Sequence, residues 1–131
     1  MGVLPFGLGT PFSLSRATPH GHSGITTQPY AMIRLQRSIR PRNGKNIEAV
    51  AWAKEVAEYL NTHYTVGQIE VYTERFGDLG AIHWVMDFRD LNALDSLSQQ
   101  LRKDDAYNAL IRRGDALTVD GSVRDIVLTL M

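Results

Sequence analysis

Two neighbouring residues, His83 and Trp84, stand in the stretch GAIHWVMDF, which places a titratable imidazole beside a large aromatic ring. An imidazole has a pKa near neutrality, so it can take or give a proton at physiological pH. The stretch is typical of a β-strand, and neighbouring side chains of a strand point to opposite faces. We therefore place Trp84 in the core and His83 on the polar face, although a shift of one residue in register would exchange them.

Polar side chains on two earlier strand-like stretches supply further candidates. Arg34 and Gln36 alternate with apolar residues in YAMIRLQRSI, and Glu70 and Tyr72 do so in GQIEVYTER. An Arg guanidinium can hold a carboxylate or an enolate oxygen, and a Tyr hydroxyl can orient a carbonyl or a phenol. We name as candidate catalytic residues His83 and Tyr72, and as candidate ligand-binding residues Arg34, Gln36, Glu70 and Trp84.

The same polar residues have a second interpretation, as paired charges at a protein–protein interface. Buried polar groups need hydrogen-bond partners at an interface just as they do at a ligand site. Other chemistry has less support, because the sequence has neither a Gly-rich phosphate loop nor a nucleophile elbow. His83 with Glu70 or Asp87 makes only a partial set of metal ligands, so no metal site is predicted.

Length and composition indicate one soluble domain. The chain has 131 residues, 44% hydrophobic and 21% charged, and its 14 basic and 14 acidic side chains cancel. A nucleic-acid-binding protein usually carries a basic excess, so that class is not favoured. The lack of cysteine excludes disulfides and thiolate catalysis. No apolar run approaches the roughly 20 residues that a membrane-spanning helix needs, and we expect a cytoplasmic protein.

Residues 1–29 differ from the rest of the chain in composition. They are rich in Gly, Pro, Ser and Thr and show neither strand alternation nor a helical period. Such a segment buries too little apolar surface to offset its ordering entropy. We predict a flexible extension over 1–29 and one domain over 30–131. His20 and His22 lie in the extension and are not expected to bind a metal.

The pattern from residue 30 onward predicts strand, helix, strand, strand, helix, strand. Asn46 and Asp90 are the expected N-caps of the two helices, and Gly114 is expected to end the second helix. The KDD stretch at 103–105 is expected to be a kink or a break in that second helix. This order is the ferredoxin-like βαββαβ topology, an α+β fold with two helices on one face of an antiparallel sheet. On the last strand we expect the helix-facing residues to be Ile126, Leu128 and Leu130.

Residues 31–131 resemble the dimeric α+β barrel superfamily, which includes antibiotic-biosynthesis monooxygenases, haem-degrading monooxygenases and NIPSNAP-like proteins. The resemblance rests on the element order, on the hairpin glycines Gly77 and Gly80 before IHW, and on the strand-end DF before the second helix. It implies a homodimer whose sheets pack face to face over a cavity. Haem degradation is not favoured, because residues 91–113 lack the family's His ligand and residues 31–40 lack its Asn.

Two functions follow as hypotheses. The first is a small-molecule-binding or interaction module without catalysis, which would take a small hydrophobic or aromatic ligand. The second is a cofactor-independent monooxygenase or isomerase that acts on an aromatic or polyketide-like compound. A closed pocket beside His83 would favour the second function, and a sheet face fully filled by the partner's side chains would favour the first. No cofactor is expected in either case.

Overall fold

Strands and helices follow one another along the chain in the predicted order. The computed structural model describes residues 32–65 and 67–131, so the predicted extension over 1–29 lies outside the described residues. The elements are β1 (Ile33–Ile39), α1 (Asn46–His63), β2 (Glu70–Thr73), β3 (Ile82–Phe88), α2 (Leu91–Arg102), α3 (Asp105–Arg113), a 3₁₀ turn (Gly114–Ala116) and β4 (Arg124–Thr129).

The four strands form one antiparallel sheet in the order β2-β3-β1-β4. β3 therefore lies between β1 and β2, and β4 is the edge strand beside β1. This arrangement confirms the α+β, ferredoxin-like fold class. It also brings the polar residues of neighbouring strands next to one another on the sheet, as a site on the sheet requires.

The core lies between the helices and one face of the sheet. Trp84 is buried there, where its indole Nε1 donates a hydrogen bond to the Ala53 carbonyl of α1 at 3.0 Å. Its ring meets Trp52 edge to face with centroids 5.5 Å apart, a favoured aromatic geometry. The prediction that Trp84 is core and that His83 points to the other face is confirmed.

The predicted orientation of β4 is wrong. Ile126 pairs with Gln36 and Leu128 pairs with Arg34, and directly paired residues of antiparallel strands share a face. The apolar residues Ile126 and Leu128 therefore lie on the face away from the helices. Alternation alone identifies the strand but not its face, and here the edge strand carries apolar residues on the side away from the described helices.

The helix ends confirm one predicted cap and correct the other. The Asp90 carboxylate accepts a hydrogen bond from the Ala93 N–H at 2.9 Å, as expected of an N-cap. Asn46 is instead the first residue of α1, and its amide lies beside Gly80 of the β2–β3 loop. The KDD stretch is a break, because Lys103 ends α2 and the Asp104 carboxylate caps α3.

Gly114 ends α3, but its φ of −73° is not the left-handed conformation expected of a terminal glycine. A Cβ atom at this position would overlap the Trp52 ring. Glycine is therefore needed here because backbone and indole come into close contact. That contact fixes Trp52, and through it the position of Trp84 in the sheet.

Candidate functional site

The sheet face away from the helices, called the open face below, carries nearly all of the predicted site residues. Strand register places on this face Arg34, Gln36 and Ser38 of β1, Glu70 and Tyr72 of β2, His83, Val85 and Asp87 of β3, and Arg124, Ile126 and Leu128 of β4. The described helices pack on the opposite face, and so this set is open to a ligand or to a second protein.

His83 is held between a carboxylate and an amide. Its Nε2 lies 2.8 Å from the Glu74 Oε1, and its Nδ1 lies 3.5 Å from the Gln36 Nε2. The imidazole side chain is 17% exposed, so it is reachable but mostly surrounded by protein. A carboxylate on Nε2 favours the tautomer with the proton on Nε2, which leaves Nδ1 as the basic nitrogen.

The β2–β3 loop positions Glu74 for this contact. The Asp78 N–H donates to Glu74 Oε2 at 2.7 Å, and Gly77, with φ of 86°, lets the loop fold back over the carboxylate. A side chain at position 77 would collide with that carboxylate. The Asp78 N–H, and after it His83, lowers the pKa of the Glu74 carboxyl. Glu74 is therefore a fixed anion beside the imidazole.

A pocket of about 430 Å³ opens directly beside His83. This volume lies within the roughly 300–1,000 Å³ range of small-molecule sites. Its lining combines polar side chains with a few apolar ones: Gln36, Ser38, Arg40, Glu74, Asp78, His83, Ser122, Arg124, Ile39, Ala81 and Ile126. The pocket thus has the size and the mixture of polar groups that a small ligand requires.

A second polar cluster lies further along the open face. Arg34 binds Asp87 through two hydrogen bonds of 2.8 and 2.9 Å, and the Tyr72 hydroxyl donates to Glu70 at 2.7 Å. The hydrogen bond with Arg34 lowers the pKa of the Asp87 carboxyl. The hydrogen bond to Glu70 raises the pKa of the Tyr72 hydroxyl, which Arg34 opposes. These four side chains form two satisfied, neighbouring pairs.

The predicted site residues therefore separate into two groups and one outlier. Gln36 lies with His83 at the pocket, whereas Arg34, Glu70 and Tyr72 lie together beside Asp87. Tyr72 is directly opposite His83 in the register, yet its hydroxyl is directed at Glu70. Trp84, predicted to bind ligand, is on the helix-facing side and only 3% exposed, so it cannot reach the pocket.

Sequence reasoning missed Glu74, Asp78, Arg40 and Arg124 as site residues. Glu74 ends the alternating pattern of the second strand, and it reaches His83 only because the loop folds back. Arg40 lies past the end of β1, where it forms an ion pair with Asp78 of the same loop. The two glycines of the loop were the available signal, but a glycine indicates a turn and not its direction.

Other places in the described chain offer less. A pocket of about 650 Å³ lies between the ends of α1 and β3 and the side of α2, near Tyr64, Phe88 and Gln100. It is larger, but its lining includes none of the predicted site residues. Over residues 32–65 and 67–131, no three His, Asp or Glu side chains are grouped as metal ligands would be. Nor is any helix there long and apolar enough to cross a membrane.

Comparisons with known proteins agree with this fold. The sequence model of a family described as "Family of unknown function (DUF6039)" matches residues 19–129. A NIPSNAP family protein from Agrobacterium tumefaciens superposes with a TM-score of 0.65 at 20% identity, over 82% of this chain and 92% of that one. An uncharacterised NIPSNAP domain protein from Burkholderia xenovorans gives a TM-score of 0.64 at 16% identity, over 76% and 94%.

A third structure is a conserved protein of unknown function from Bacteroides thetaiotaomicron, described as a possible oxidoreductase. It superposes with a TM-score of 0.57 at 12% identity, over 76% of this chain and 98% of that one. No curated protein sequence matches the chain. At these identities the likeness concerns the fold alone, and the resemblance to NIPSNAP-like α+β barrel proteins is confirmed at that level.

Proposed function

The chain belongs to the family of unknown function DUF6039, and for this protein we propose a small-molecule-binding function. The observation that carries the proposal is the pocket of about 430 Å³ beside His83. Its imidazole is mostly enclosed and is oriented by Glu74 at 2.8 Å. A pre-organised polar group at the wall of a pocket is what fixes a ligand's orientation.

The ligand is a small hydrophobic or aromatic molecule that carries polar groups. Ile126 supplies an apolar wall on the open face, while Gln36 and His83 supply hydrogen bonds. A flat aromatic ring can lie against the sheet, because the described helices all pack on its other face. Polar substituents of that ring would then meet the His83 end of the pocket.

The functional unit is a homodimer whose open faces pack against each other. Tyr72 of β2 is 52% and Leu128 of β4 is 47% exposed on this face, and Ile126 lies between Leu128 and Arg124 along β4. Large side chains exposed together on one surface indicate contact with another protein. A partner sheet would cover them and convert the open pocket into an enclosed one. Neither a membrane nor a nucleic acid is part of this proposal.

A second candidate function is a cofactor-independent monooxygenase or isomerase. The contact between Glu74 and Nε2 favours it, because that contact leaves the other ring nitrogen of His83 as a base. In this role His83 would take a proton from an acidic C–H or phenolic O–H group of an aromatic or polyketide-like substrate. Oxygen uptake by the protein with a panel of polycyclic phenols, absent in the His83→Gln variant, would distinguish an enzyme from a binding module.

Binding is tested by an NMR screen of the ¹⁵N-labelled dimer against a library of aromatic fragments. We expect hits to shift the amide signals of Ser38, His83 and Arg124 together, since these residues line one pocket. A Ser38→Trp variant should lose the hits, because position 38 is paired directly with His83 across β1 and β3 and a large ring there fills the space.

The matched control is Gln99→Trp, which adds the same ring to an exposed position of α2. It should bind the hits as the unmodified protein does. Sedimentation at micromolar concentration, run on the same samples, tests the homodimer, and a clean monomer would contradict it. Hits that shift signals elsewhere, or that survive Ser38→Trp, would contradict the proposed pocket.

A further inference from the structure

Some charged side chains of the His83 pocket have hydrogen-bond or ion-pair partners among the described residues and one does not. This difference indicates which ligand the proposed pocket takes. Both carboxylates in the lining are held by protein donors. Glu74 accepts from the Asp78 N–H and lies against His83, and Asp78 is bound by the guanidinium of Arg40. Two of the pocket's acids and one of its arginines are therefore already engaged.

Arg124 is the exception. Its guanidinium forms no ion pair with any side chain in the part of the chain that the structure describes, although its backbone carbonyl accepts from Ser38. The neighbouring acid, Asp125, cannot neutralise it, because successive strand residues point to opposite faces and Asp125 binds Arg37 on the helix side. Arg124 is near enough to Glu74 to help lower the pKa of that carboxyl, but no hydrogen bond or ion pair joins these two side chains. An arginine on the pocket wall thus keeps its hydrogen-bond donors available.

From this arrangement we propose that the ligand of the pocket is a carboxylic acid, an aromatic or hydrophobic body with one carboxylate that Arg124 binds. A guanidinium presents a planar set of donors that matches the two oxygens of a carboxylate. Gln36, which lies beside His83, supplies a neutral donor to the same region. The apolar side chain of Ile126, two residues from Arg124 on the same face, contacts the body of the ligand.

This inference rests on the proposed binding function, and its test separates the two. The probes are matched pairs that differ only in charge, benzoate with benzamide and 2-naphthoate with 2-naphthamide. Affinities come from NMR titration of the full-length protein. We expect the acid of each pair to bind at least tenfold more tightly than its amide, which is the usual scale of a charge-assisted hydrogen bond.

Arg124→Gln should remove that preference, because the acid loses the guanidinium that binds its carboxylate. Arg102→Gln, on the exposed side of α2, makes the same change in net charge and should leave the preference intact. Equal affinity for acid and amide, or an acid preference that persists in Arg124→Gln, overturns the inference while the binding function stands. If neither member of any pair, nor any fragment of the library, shifts the pocket signals, both fail.

Discussion

The guanidinium of Arg37 and the carboxylate of Asp125 face each other across β1 and β4, on the helix side of the sheet. Two hydrogen bonds of 2.7 Å join them, from Nε to Oδ1 and from Nη2 to Oδ2. Arg37 is only 3% exposed, so its charge lies within the core. This pair sets the face of the edge strand, because Asp125 on the helix side sends Arg124 to the pocket.

Removal of Asp125 should destabilise the fold. Asp125→Ala deprives a buried guanidinium of its carboxylate, and we expect the free energy of unfolding to fall by about 2–3 kcal/mol. Urea unfolding followed by tryptophan fluorescence measures this difference. The same variant should also weaken the preference of the pocket for acids, since the register of β4 is then less firmly fixed.

The ion pair of Arg113 with Glu55 is the matched control. It is also bidentate, with two contacts of 3.0 Å, but both side chains are more than half exposed. Exposed pairs contribute little because water screens them. Glu55→Ala should therefore change stability much less than Asp125→Ala, and equal losses in the two variants would show that burial of Arg37 is not what matters.

The Arg37–Asp125 pair also shows how far the sequence predicts the fold. Alternation in IRLQRSI predicted β1 and its apolar face correctly, but an arginine at position 37 breaks that face, and its buried ion pair depends on a residue far along the chain. The same long-range contact decides the face of β4. Ile47 shows a related limit, because it fits an apolar helix pattern yet is 84% exposed, off the stripe that contains Trp52.

Gly114 should not tolerate even a methyl group. The Cβ atom of Gly114→Ala would overlap the Trp52 ring, and neither the helix end nor the buried indole can move freely. We expect a loss of about 1–3 kcal/mol, the usual cost of overpacking a core. Thermal unfolding by circular dichroism measures it. Ala109→Ser, an exposed change on the same helix, should leave the melting temperature nearly unchanged, and equal effects would contradict the steric explanation.

Asp104 should make stability depend on pH. Burial raises the pKa of its carboxyl, but hydrogen bonds from Tyr64, Tyr107 and Tyr59 outweigh this and leave the pKa below its ordinary 3.8. A carboxyl whose pKa is lower in the folded state stabilises it above the ordinary value and loses that contribution as the pH falls through the lowered one. Asp104→Asn should therefore be less stable than the unmodified protein at pH 7.

The difference between the two proteins should shrink as the pH is lowered below about 3.8, because the unmodified Asp104 then becomes neutral as well. Urea unfolding at pH 7 and at pH 3 measures it. A difference that stays constant over this range would show that the charge of Asp104 contributes nothing.

Glu74 should fix the tautomer of His83. With a carboxylate 2.8 Å from Nε2, the neutral imidazole carries its proton on Nε2 and leaves Nδ1 basic. Long-range ¹H–¹⁵N correlation spectra distinguish the two tautomers, and a His83→Gln variant assigns the signals. Glu74→Ala should give a mixture of tautomers. Glu70→Ala should not, because Glu70 binds Tyr72 instead.

The candidate site was predicted in part. The alternating strands identified which residues share the open face, so His83 and Gln36 were placed correctly with respect to the sheet. The Glu74 contact depends on a loop whose path no local pattern specifies, and Arg124 depends on the face of β4. Tyr72 and Arg34, also named as candidates, share this face with His83, but the carboxylates of Glu70 and Asp87 bind them.

A crystal structure of the purified dimer is the most direct measurement of whether the open face holds a ligand. We expect the two sheets to enclose a space of at least roughly 300 Å³ beside each His83, reached by Arg124 and holding a bound molecule or ordered water. A dry interface, in which side chains of the partner subunit fill that space and pair with Arg124 and Glu74, would contradict the proposed site. His83 would then be a structural residue of the dimer.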